Sequence, residues 1–218
     1  ASAAAVVNPT ITTSITDVAP FALSLPDLGS LQGNGLNKNT VMGTFASGFT
    51  YSLGAGSSSG FVLSGTGNAV LSTGNQNIVS GTYTLNVIAT DQFGISHTTV
   101  VKIWVGTPNN DTIDLATLGN SSGINLAYGL NGVDKITGGG ELDFLIGGQQ
   151  PNTLTAGSGS EVFAASGNDT IVLNGLSFSD DIIYQLTPTD QIDLTSLLFV
   201  PGSMSATGCR PTCATTWC

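Results

Sequence analysis

The sequence predicts an all-β chain, a β-sandwich followed by a parallel β-roll, and three observations carry that expectation. Short strand-like runs separated by Gly, Ser and Asn fill residues 1–105. From residue 106 the texture changes to Asn, Asp and Gly, and a nine-residue repeat appears. Within that repeat Ile, Leu, Val and Phe recur at fixed spacing, which argues for a packed core where an acidic, Gly-rich chain might otherwise stay disordered without a ligand.

The first region reads as Phe21 to Leu25, Val41 to Phe45, Phe61 to Leu63 and Ala69 to Leu71, short strands of the sandwich kind. Its clearest unit is a hairpin. Tyr83, Leu85, Val87 and Ala89 alternate with Thr84, Asn86, Ile88 and Thr90, Asp91 to Gly94 turn the chain, and Ser96 to Val105 return. The segment GTYTLNVIATDQFGISHTTVVKIWVG, residues 81–106, resembles the last two strands of the cadherin-like, immunoglobulin-like repeats of large secreted bacterial proteins. That resemblance implies an inter-domain calcium ligand at Asp91; the alternative is that Asp91 only caps its turn.

The net charge is confined to the second region. Between residues 107 and 193 eleven acidic residues face one basic residue, Lys135, which accounts for the net charge of −10. Such a segment repels nucleic acid and anionic lipid and attracts hard divalent cations, calcium or magnesium first.

Four nonapeptides follow one another without a gap: GLNGVDKIT from Gly129, GGGELDFLI from Gly138, GGQQPNTLT from Gly147 and AGSGSEVFA from Ala156. Asp134, Asp143, Asn152 and Glu161 fall in register, as do Ile136, Leu145, Leu154 and Phe163. A fifth unit from Ala165 is one residue short before Asp169, and an isolated unit, GTPNNDTID, begins at Gly106. The period resembles the G-G-x-G-x-D-x-U-x nonapeptide of RTX proteins, which implies a parallel β-roll holding calcium between its turns.

In that reading Gly129, Gly132, Gly138, Gly140, Gly147 and Gly159 allow the tight turns. Asp134, Asp143, Asn152, Glu161 and Asp169 supply oxygen ligands, and the apolar residue two positions later enters the core. Two nonapeptides make one turn, so Asp134 would share a site with the Asn152 loop, and Asp143 with the Glu161 loop. The alternative is a calcium-free solenoid whose polar positions form hydrogen-bonded ladders.

Beyond the repeats, DDIIYQLTPTDQIDLTSL resembles the strands that cap such rolls in proteins exported by type I secretion, where Asp180, Asp181, Asp190 and Asp193 either solvate the cap, the preferred reading, or bind ions. This divides the chain into a sandwich (1–105), a roll with its cap (106–200) and a tail (201–218). The tail holds the three cysteines, Cys209, Cys213 and Cys218, at a spacing that suits no zinc site; it reads either as a source of an intermolecular disulfide or as foreign to the reading frame. A chain that starts at Ala1 reads as a processed product or a fragment.

Catalysis is not expected. The single histidine, His97, lacks a His-Glu-x-x-His helix, no Gly-x-Ser-x-Gly elbow is present, and Ser158 and Ser160 are turn residues of the repeat. Four basic residues give nucleic acid nothing to bind, two Trp offer little to a carbohydrate, and no run of 18 apolar residues predicts membrane insertion. With 8% charged residues the surface is inexpensive to desolvate, which favours a homo-oligomer or polymer. The expectation is a secreted, cell-surface structural protein of a surface layer, filament or adhesin stalk; the alternative is an accessory spacer of a larger secreted hydrolase or adhesin.

Overall fold

In the computed structural model the chain is described over residues 21–25, 35–64, 68–118, 123–174 and 181–197. The expected N-terminal strand from Ala5 to Ile15, Asp180 and the cysteine tail lie outside these residues. The regular structure among the described residues is almost all strand, as the sequence predicts, with turns and loops between.

The first region contributes β1 (Leu23–Ser24), β2 (Gly35–Leu36), β3 (Val41–Phe45), β4 (Thr50–Leu53), β5 (Phe61–Ser64), β6 (Val70–Thr73), β7 (Ile78–Val79), β8 (Gly81–Thr90) and β9 (Ser96–Val105). Strands β1, β3, β6 and β5 form one antiparallel sheet, in that order, and β2 pairs with β7. The predicted hairpin is present in full, with Tyr83 opposite Ile103 and Leu85 opposite Val101. Its turn is closed by Asp91, whose Oδ1 accepts the N–H groups of Phe93 and Ile95, both at 2.8 Å. This is the capping geometry of an Asx turn.

The second region coils. It runs through β10 (Thr112–Asp114), the short helix α1 (Leu115–Leu118), β11 (Gly123–Tyr128), β12 (Lys135–Thr137), β13 (Leu142–Gly148) and β14 (Thr153–Thr155), then β15 (Ser160–Ala165), β16 (Thr170–Val172), β17 (Ile182–Tyr184) and β18 (Gln191–Asp193). Even-numbered strands build a five-stranded parallel sheet, β10-β12-β14-β16-β18. Odd-numbered strands stack in parallel as β17-β15-β13-β11-β9, so the chain forms a solenoid of about four turns. Leu142 lies beside Ile124 and Ser160 beside Leu142, an eighteen-residue step in which two nonapeptides make one turn.

Strand β9 joins the two regions. It pairs antiparallel with β8 on one edge and parallel with β11 on the other, so a seven-stranded sheet, β17-β15-β13-β11-β9-β8-β4, runs through both. Alternation then sends side chains to opposite faces of this sheet. Ile124, Leu126, Tyr128, Phe144 and Ile146 join the sandwich core with Met42, Phe45, Leu71, Leu85 and Ile103. Ala127, Leu145 and Phe163 point the other way and meet Ile136, Leu154 and Ile171 inside the coil. Burial on both faces explains why β11 and β13 are so continuously apolar.

Turns stack closely enough to require glycine. Gly148 has φ of 106°, and a Cβ there would collide with the Leu130 carbonyl; Gly132, at φ 111°, meets the Asn109 carbonyl of the turn before. In the last turn Ile192, in register with the buried Ile171 and Leu154, is 44% exposed, so the final layer of the coil is open among the described residues.

One buried group is left without a partner by this double packing: the Tyr128 hydroxyl. Burial pushes its phenol well above the usual range. Tyr128→Phe should therefore hold or raise the thermal midpoint, by the equivalent of about 1 kcal/mol, since a buried unsatisfied hydroxyl costs about 1–3 kcal/mol. A clear fall in a melting experiment would mean that the hydroxyl has a partner in solution.

Candidate functional site

Each repeat ends its turn on a polar residue, and two nonapeptides per turn place these residues in two columns at opposite corners of the coil. The first column holds Asp111, Asp134, Asn152, Asp169 and Asp190. Each backbone N–H donates to the side chain one turn on: Asp111 to Asp134 Oδ1 at 2.8 Å, Asp134 to Asn152 Oδ1 at 2.9 Å, Asn152 to Asp169 Oδ1 at 2.8 Å, and Asp169 to Asp190 Oδ1 at 2.8 Å. Their carbonyls accept from Lys135, Thr153, Thr170 and Gln191 at 2.8–2.9 Å, so every rung has two bonds.

The second column holds Asn125, Asp143, Glu161 and Asp181. Asn125, Asp143 and Glu161 are consecutive register partners, and Lys102 stands in register at the head of the column, beside Asn125. Asn125 Nδ2 donates to Asp143 Oδ1 at 2.6 Å, and Glu161 N–H donates to Asp181 Oδ1 at 3.0 Å.

These side chains are inside. Asp134, Asp143, Asn152, Glu161 and Asp169 are all buried to 2% exposure or less. A carboxylate removed from water resists ionisation, and burial is the largest cause of every upward shift here. It pushes Asp134 up to about 6 and Asp169 up to about 6, the Asp190 charge adding to the second. Burial also raises Asp143, and it raises Glu161 strongly with the help of the neighbouring Asp181 carboxyl. What opposes these shifts is hydrogen bonding from N–H groups and amides, not a Lys or Arg.

The glycines of the repeat make room for the columns. A Cβ on Gly129 would strike Asp134 Oδ2, one on Gly147 would lie 2.5 Å from Asn152 Nδ2, and one on Gly138 would lie 2.8 Å from Glu161 Oε1. Gly159 packs against the Glu141 carbonyl of the preceding turn, and Gly140 is the least crowded, with only Ser158 Oγ near, at 3.6 Å.

The donor set suits a hard cation in kind, because it is oxygen throughout. Buried acceptors without a hydrogen-bond partner stand in both columns, Asp134 Oδ2 in the first and Asn125 Oδ1 and Asp181 Oδ2 in the second. Among the described residues no three His, Cys, Asp or Glu side chains converge as a metal cluster. A cation here would therefore take one or two column side chains, from Asp134, Asp143, Glu161, Asp169 or Asp181, and complete its shell with turn carbonyls and water.

The structure brings Asp134 to Asn152 and Asp143 to Glu161, the two pairings the period predicts. It also adds residues that the period missed. Asp111 belongs to the isolated early unit, which joins the first column across an insertion that contains α1. Asp181 and Asp190, read as solvating a cap, are rungs of the two ladders, whereas the Asp193 side chain accepts from its own turn, at Thr195. Asn125 lies nine residues before Asp134 and eighteen before Asp143, in phase with the repeat, but its unit keeps only Gly123 of the glycines and has no acidic residue, so it did not stand out. The chain matches no protein-family profile, and no curated protein or solved structure is similar to it at a significant level.

The raised carboxyls fix the pH dependence. Each binds its proton more tightly when folded than when unfolded, so stability is full below the unfolded values near 4 and is lost as pH rises through the folded values. In chelator the melting midpoint of the solenoid should fall between about pH 4 and about pH 7. A midpoint that rose across this range would show that the columns are ionised and stable without a counter-ion.

Proposed function

We propose that this chain is a non-catalytic, calcium-binding structural protein of the bacterial cell surface that assembles with copies of itself. The observation that carries the reading is the pair of buried carboxylate columns, whose hydrogen-bond donors are N–H groups and amides. Near neutral pH such columns need either protons or a divalent cation, and calcium prefers the oxygen donors they offer. Calcium is abundant outside cells, where even sites of modest affinity fill, which supports an extracellular location. The resemblance of the nonapeptide to RTX repeats points the same way. Assembly is supported by the last turn, where Ile182, Tyr184, Leu186, Ile192 and Leu194 are all exposed beside open strand edges.

Calcium addition to chelated protein should slow hydrogen exchange over residues 129–173 and leave β3, β5 and β6 unchanged, because the acidic excess lies in the roll. Equal responses in both regions, or none, would overturn calcium coupling. Sedimentation at rising protein concentration should show polymers in calcium. A strict monomer would overturn the assembly part and leave the spacer reading.

A substitution separates column from surface. Asp143→Ala should weaken calcium binding by about tenfold or more in titration calorimetry, while Asp193→Ala, outside both columns, should change it little. Equal losses would place the ions outside the columns.

A further inference from the structure

Five acidic turns of the two columns share one polarity, while Asp134 Oδ2 and Asp181 Oδ2 find no donor. The second carboxylate oxygen accepts an N–H from its own turn: Asp111 from Thr107 at 2.6 Å, Asp143 from Gly139, Glu161 from Gly157 at 2.9 Å, Asp169 from Ser166 at 3.1 Å and Asp190 from Thr187 at 2.6 Å. Asn152 reverses it. Its Nδ2 donates to the Gln150 carbonyl at 2.5 Å and, more weakly, towards the Gly148 carbonyl at 3.5 Å. Its Oδ1 still accepts the Asp134 N–H, and its own N–H still reaches Asp169, so the ladder passes through it unbroken. The partners also fix which way the amide points, because an N–H faces one end and carbonyls face the other.

The neighbouring turn provides the contrast. Gly129 and Gly147 are equivalent positions eighteen residues apart, and the atom that crowds each is the second terminal atom of the column residue, Asp134 Oδ2 in one turn and Asn152 Nδ2 in the next. The two atoms therefore occupy the same place. Asp134 Oδ2 is buried and has no hydrogen-bond partner, whereas Asn152 Nδ2 is a donor with carbonyls to hold. A buried carboxylate oxygen with no donor leaves its charge unanswered, and a positive group has to stand beside it.

We propose that Asn152 is a built-in substitute for a cation. Its amide nitrogen supplies the positive end that a bound ion supplies in an acidic turn, so the turn from Gly147 to Thr155 closes without metal while the Asp134 turn requires it. Asn152 then takes no part in ligation. The inference rests on the calcium reading for the Asp134 turn only; the ion-independence of the Asn152 turn stands apart from it. In low calcium this clasp holds its own turn, and the Asp134 turn closes as its ion arrives.

Exchange of the full chain in chelator tests the clasp directly. Amides of Thr153–Thr155 should exchange at least about tenfold more slowly than those of Lys135–Thr137. Asn152→Asp should abolish that difference in chelator, restore protection when calcium is added, and raise the calcium stoichiometry in titration calorimetry by one. Asp134→Asn should do the opposite, removing one ion and protecting Lys135–Thr137 in chelator. Should the Asn152→Asp chain fail to fold in either condition, the wild-type and Asp134→Asn exchange rates decide. Equal exchange of the two segments in wild-type chain, or Asn152→Asp as protected in chelator as wild type, would overturn the proposal. Wild-type protein that binds no calcium yet keeps slow exchange at Thr153–Thr155 would sink the calcium reading and leave the clasp standing.

Discussion

A carboxylate stacked beneath another inside a protein persists only if a proton, a donor or a cation offsets its charge. That requirement governs this chain from residue 111 to residue 190. Seven acids, Asp111, Asp134, Asp169 and Asp190 at one corner and Asp143, Glu161 and Asp181 at the other, are tied turn to turn by hydrogen bonds. The ladder bonds set the register of the coil, and register in turn places Leu145, Leu154 and Phe163 in its interior. The same bonds bring like charges near one another and hold them out of water. The fold and its need for charge neutralisation therefore have one origin.

The sandwich steadies the coil by sharing a sheet with it. Solenoid ends normally expose edges, but β9 is covered on its outer edge by β8, and the faces of β11 and β13 that would meet solvent in an isolated solenoid meet the sandwich core instead. Trp104, Ile113 and Leu115 are buried at this first end, whereas Ile192 is half exposed at the other. Order therefore has a fixed beginning at β9 and an open finish at β18. This asymmetry gives the chain two chemically different ends, which suits a molecule that joins others through one of them.

Much of this was legible in the sequence, because period is a strong signal where side chains alternate between a core and a corner. The hairpin around Asp91, the inward residues Ile136, Leu145, Leu154 and Phe163, and the pairings of Asp134 with Asn152 and Asp143 with Glu161 all follow from spacing. Three features did not. The insertion between β10 and β11 set Asp111 out of phase as an isolated unit, and Asn125, although in phase, stands in a unit with neither an acidic residue nor the full set of glycines. The lengthened last turn hid Asp181 and Asp190, whose composition resembles that of a solvated cap. The continuity of the sheet through β9 is a pairing between segments of different texture, and composition changes at residue 106 although hydrogen bonding does not. The role of Asn152 was hidden most deeply. Asn and Asp have the same shape, and only the direction of their hydrogen bonds tells them apart.

In the proposed function protons and calcium ions compete for the same buried carboxylates, and the most direct measurement is the number of protons released when calcium binds. Titration calorimetry in buffers of different ionisation enthalpy reads that number. The account predicts net release near pH 6, where Asp134 and Asp169 are partly protonated, and release falling toward zero at higher pH as the carboxyls ionise unaided. Calcium binding with no proton release at either pH would place the ions on surface carboxylates and contradict the account.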